Sequence, residues 1–89
     1  MRCISVYTKD FAVFSDLFED IMNTPLQENE EKTLEGVVIS DSGEIQDEYL
    51  NRLKVKPEVV VMKVKDSGIT ILQHGEIFEI FIPDQSVVH

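Results

Sequence analysis

Hydrophobic and polar residues alternate along Arg2 to Thr8, where Ile4 and Val6 interleave with Cys3, Ser5 and Tyr7. This period of two predicts a strand with one buried face. The period then changes. Phe11, Phe14, Leu17, Phe18, Ile21 and Met22 recur at spacings of three and four, while Lys9, Asp16, Glu19, Asp20 and Asn23 take the other side, so an amphipathic helix is expected here. Thr8 or Asp10 can cap its start, and Asn23-Thr24-Pro25 ends it, because proline biases the preceding residue out of the helical region.

Pro25 to Thr33 reads as an exposed acidic loop. Leu34 to Ser40, with Val37, Val38 and Ile39 in succession, reads as a strand in the sheet interior, with a possible bulge position at Gly36. Asp41-Ser42-Gly43 punctuates. Ile45, Tyr49, Leu50 and Leu53 then outline a second helix that ends before Lys56-Pro57, with Asp41 and Glu44 spaced as a capping box or Ser42 as the cap.

Val59 to Lys65, Ile69 to Gln73 and Ile77 to Ile82 are rich in β-branched and aromatic residues and are separated by Asp66-Ser67-Gly68 and His74-Gly75, which predict hairpin turns. A two-residue loop at His74-Gly75 would pair Leu72 with Ile77 and Ile71 with Phe78. Val60, Met62, Val64, Ile69, Ile71, Phe78, Ile80 and Ile82 then share one apolar face with Ile4 and Val6. Cys3, Ser5, Tyr7, Lys63, Lys65, Thr70, Leu72, His74, Ile77, Glu79 and Phe81 share the other, too polar for a core and too apolar for plain solvent. The expected fold is α+β: a two-layer sandwich with two helices on one face of a mixed sheet of about five strands, in the order βαβαβββ with a C-terminal antiparallel meander.

Composition narrows the function classes. Eighty-nine residues, 43% hydrophobic and 28% charged, describe a single globular domain over residues 1–89. The lone Cys3 excludes an intramolecular disulfide framework, and no apolar run reaches the roughly 18 residues of a membrane-spanning helix. The start Met1-Arg2-Cys3-Ile4 has no secretory apolar block, so a cytoplasmic protein is expected, without a membrane partner. The formal charge of −9 argues against direct nucleic-acid binding through phosphates. That charge is unevenly placed: residues 16–48 hold eleven carboxylates against Lys32 alone, a formal −10, while Tyr49 onward is balanced.

Chemistry-bearing patterns are few. Four glycines form no phosphate-cradling loop, one Cys and two His make no structural zinc site, and Asp41-Ser42-Gly43-Glu44 lacks the ligand spacing of a calcium loop. Neither a metal nor a cofactor is expected. A nucleophile needs a base and an orienting group within reach, and Cys3, Tyr7 and His74 are the candidates for a small-molecule pocket or an enzyme site, an idea that fails if Cys3 points into the core. Lys63 and Glu79 read as cross-strand charge neighbours. The preferred expectation is a protein-interaction or regulatory module, not an enzyme, that forms a homodimer through its open sheet face or edge. Tyr7, Lys63, Leu72, Ile77, Glu79 and Phe81 form the interaction face, and Phe81→Glu would dissociate the dimer and spare the fold. The alternative is an acidic surface of Asp16, Glu19, Asp20, Glu28, Glu30 and Glu31 that docks a basic protein.

Overall fold

Asp10 sets the first helix: its carboxylate accepts from Ala12 N–H at 2.9 Å and Val13 N–H at 3.3 Å, satisfying donors that no helical carbonyl can reach. The computed structural model describes residues 1–84. Among them run β1 (Arg2–Val6), α1 (Phe11–Asn23), β2 (Glu31–Leu34), β3 (Val37–Glu44), α2 (Asp47–Lys54), β4 (Val60–Lys63), β5 (Thr70–His74) and β6 (Ile77–Ile82). The strands make one sheet in the order β2-β3-β1-β6-β5-β4, and every neighbouring pair is antiparallel. No helix of the described residues is long and apolar enough to cross a membrane.

The α+β class is as expected, and three of its details change. The described sheet has six strands, is antiparallel rather than mixed, and carries its helices on opposite faces. The extra strand, β2, occupies the end of the stretch expected to be loop, and the turn that joins it to β3 is Glu35-Gly36, with positive φ values of 47° and 85°, inside the stretch expected to be one strand. Through this hairpin the chain re-enters the sheet antiparallel to β1.

Side-chain parity explains the layers. Ile4, Val6, Ile39, Ile71, Phe78 and Ile80 project to one face, where Phe14, Leu17 and Ile21 of α1 cover them and Phe14 stacks on Phe78 with ring centroids 4.2 Å apart. Cys3, Leu72 and Phe81 project to the other, where Leu50 and Leu53 of α2 cover them. The face that reads as mixed is therefore a second, smaller core with polar surroundings. Its apolar residues need a helix of their own, which is why α2 does not join α1.

Two turns also shift. The β5–β6 loop is Gly75-Glu76, so His74 opposes Ile77, Ile71 opposes Ile80 and Leu72 opposes Glu79. Each residue's cross-strand partner thus moves by two positions from the expected register, which preserves side-chain parity and leaves the facial grouping intact. The bulge lies at Ser42 instead of Gly36: Cys3 pairs with Gly43 and Ile4 with Asp41, leaving Ser42 between them. Gly43 has φ +76°, and a Cβ there would meet the Glu28 side chain at 2.6 Å. Asp41 is buried at this bulge, where its carboxylate accepts from Gly43 N–H at 2.7 Å and from Arg2 Nε at 2.6 Å. Asp41 thus serves the sheet and not a capping box, and α2 begins after Gln46 without a side-chain cap.

Candidate functional site

Two places carry more than packing. The first is a knot of polar side chains beneath α2. Glu79 projects from β6 onto the α2 face and is only 5% exposed. Its Oε1 lies 2.6 Å from His74 Nε2, and Oε2 accepts from Tyr49 Oη at 3.2 Å and from the Cys3 thiol at 3.6 Å. An unpaired carboxylate at this depth would cost several kcal/mol, and the three donors remove that cost. No buried side-chain nitrogen or oxygen among the described residues lacks a partner. The knot borders a cleft of about 350 Å³ lined by Cys3, Ser42, Tyr49, Arg52 and Glu79 among others.

Cys3 and His74 do meet, through Glu79, but not as a nucleophile and its base. Cys3 points into the second core beside Leu50, Leu53, Leu72 and Phe81, and burial, reinforced by the Glu79 charge, pushes its thiol up. A thiolate is what attacks and binds metal, and this position opposes one. Tyr7 lies elsewhere, exposed, with its hydroxyl 3.4 Å from Ser40 Oγ. Lys63 is not beside Glu79 either, because β5 runs between their strands. Among the described residues no three His, Cys, Asp or Glu are grouped to hold a metal. The arrangement locks a helix to a sheet, and Tyr49, which reads as an apolar helix position, is the member the sequence conceals.

This knot has a pH signature. Burial, then the charge and hydrogen bond of Glu79, push the Tyr49 phenol up to about 12 from its ordinary 10, and the Cys3 thiol rises above its ordinary 9. The folded chain holds both protons where the unfolded chain releases them. Their stabilisation is therefore complete below about pH 9 and is lost as pH rises, through about pH 12 for Tyr49. The denaturant midpoint should fall between these values, and Tyr49→Phe should flatten the upper part of the fall. A wild-type midpoint unchanged across this window would contradict the assignment.

The second place is the sheet edge at β4. Val60 is 52% exposed and Val61 39%, on opposite faces of the strand, while Leu72, Phe78, Ile80 and Phe81 on β5 and β6 are buried. Val64 N–H donates to Ile69 O at 3.0 Å, and antiparallel alternation then turns the backbone of Val60, Met62 and Val64 toward β5 and that of Val61 and Lys63 outward. Along the α1 side of this edge runs an apolar groove of about 310 Å³ between Phe11, Phe14 and Phe18 and the strand residues Met62, Val64 and Ile71. An exposed apolar edge of this kind is a template for another strand.

The expected interaction face divides accordingly. Leu72, Glu79 and Phe81 lie buried beneath α2 and present nothing to a partner, Ile77 is half-buried, and Tyr7 and Lys63 are exposed. Of the acidic residues, Asp16, Glu19, Asp20, Glu28 and Glu31 are exposed, whereas Glu30 turns back to accept from Gln27 N–H at 2.8 Å. Glu28, Glu30 and Glu31 lie on or beside β2, at the edge opposite β4, Asp16 shares a surface hollow with Glu35 of the β2–β3 turn, and Glu19 and Asp20 lie on the exposed side of α1. Comparison with family models, with characterised proteins and with solved structures gives no match.

Proposed function

We propose that the protein is an interaction module that associates with a second copy of itself through the β4 edge. The observation that carries this reading is the exposure of Val60 and Val61 on a strand whose outward backbone groups have no sheet neighbour among the described residues. Burying two such valines removes apolar surface from water at roughly 25 cal/mol per Å², and pairing the edge satisfies its free amides and carbonyls. Charge points the same way. A chain of net −9 repels its copy least where negative charge is balanced, and from residue 56 to 66 Lys56, Lys63 and Lys65 stand against Glu58 and Asp66. The opposite edge is defended: β2 presents Glu31 with Glu28, Glu30 and Glu35 nearby. The carboxylates around β2 then lie at the far edge of the sheet from the contact, where a basic partner would meet them.

Amide hydrogen exchange tests the reading residue by residue. In dilute protein the Val61 and Lys63 amides should exchange fast, and those of Val60 and Met62 slowly. Raising the protein concentration should slow Val61 and Lys63 until all four are protected. Persistently fast exchange at Val61 and Lys63 in concentrated protein would overturn the proposal.

A further inference from the structure

Resting on the β4-edge reading, we infer the register of that contact: the two β4 strands pair antiparallel about a two-fold axis through Met62, so that Val61 faces the partner's Lys63. The outward groups decide it. Hydrogen-bonded pairs across an antiparallel contact join outward residues to outward residues, and on β4 these are Val61 and Lys63. The run stops at Val59, whose N–H already donates to Lys56 O at 3.1 Å.

Three two-fold registers satisfy that parity. Centring on Lys63 sets two ammonium groups directly opposite one another, which is destabilising. Centring on Val61 leaves each Lys63 carbonyl facing the partner's Val59, whose amide is spent on Lys56. Centring on Met62 pairs Val61 with the partner's Lys63 and Lys63 with the partner's Val61. Every outward amide and carbonyl of the two residues then has a partner.

The side chains agree with the backbone. On the α1 face this register sets Met62 against the partner's Met62 and Val60 against the partner's Val64. Met62 and Val64 already pack against the α1-side core, and both line the groove with Phe11, Phe14 and Phe18. The exposed Val60 thus becomes part of an apolar ladder that joins the two grooves across the axis. Sheet size favours the closed pair as well. Two copies make twelve strands, already past the roughly ten at which twisted open sheets begin to curl or split. Head-to-tail pairing of β4 with the partner's β2 would extend that sheet without end.

Single-cysteine variants read the register. Met62 and the partner's Met62 form a non-hydrogen-bonded pair with Cα atoms about 4.5 Å apart, within disulfide range, whereas Val61 and Lys63 each lie on a diagonal of roughly 7 to 8 Å from their own copies. Met62→Cys should therefore form a covalent dimer on mild oxidation at least ~10-fold faster than Val61→Cys or Lys63→Cys. The wild type, with Cys3 buried, is the blank. If Val61→Cys or Lys63→Cys cross-links as fast as Met62→Cys while the edge amides stay protected, this register is wrong and the edge contact stands. If the edge amides are unprotected and none of the three cross-links, both ideas fall together. Oligomers longer than two in the wild type, with Met62→Cys uncross-linked, would mean head-to-tail pairing and overturn the two-fold axis.

Discussion

Phe81→Glu is expected to unfold the protein, not to separate two copies of it. Phe81 is 1% exposed, sits among Cys3, Leu50, Leu53 and Leu72, and its ring centroid lies 6.1 Å from that of Tyr49. Losing an aromatic ring from such a site costs about 3 to 5 kcal/mol. The new carboxylate would be buried on the same face as Glu79, whose donors are already engaged, and an uncompensated charge there adds several kcal/mol more. The sum is comparable to the roughly 5 to 15 kcal/mol that holds a domain folded. Circular dichroism should show no cooperative melt for this variant. A folded Phe81→Glu monomer would mean that α2 does not seal the second face.

The same residue marks where sequence reading succeeds and where it stops. The facial grouping of β4, β5 and β6 was legible because side-chain period is local: Ile71, Phe78 and Ile80 share a face whichever two residues form the turn. The first helix was legible through its apolar stripe and Asp10. Which layer covers each face is a long-range fact, and the mixture of Leu72, Glu79 and Phe81 looked like an open surface only because Tyr49 and His74, which meet Glu79 there, are remote in sequence from one another. Asp41-Ser42-Gly43 misled for a related reason. Its turn-like residues make a bulge whose aspartate is held by Arg2, 39 positions away.

The β4 edge was visible as a strand and hidden as an edge. Val60-Val61-Met62 is as apolar as the buried strands, and only the sheet order, which ends at β4, exposes it. Self-association was the expectation from sequence, with Leu72 and Phe81 in the contact face. The proposed contact lies instead at Val60, Val61 and Met62.

Val61→Pro isolates that contact. Because the Val61 amide points away from β5, proline removes an outward donor and no hydrogen bond of the β4–β5 ladder, and prolines are accommodated on edge strands for this reason. The folded chain should melt within about 1 kcal/mol of the wild type. Two of the contact's hydrogen bonds disappear, one from each copy, and at about 1 to 1.5 kcal/mol apiece association should weaken roughly 30- to 150-fold. Sedimentation velocity over a concentration series, run on the wild type and Val61→Pro side by side, is the most direct test of the edge contact. The wild type should pass from the mass of one chain to that of two, with Val61→Pro remaining at one. A wild type that stays a single chain at the highest concentration reached, or a Val61→Pro variant that dimerises equally well, would contradict the account.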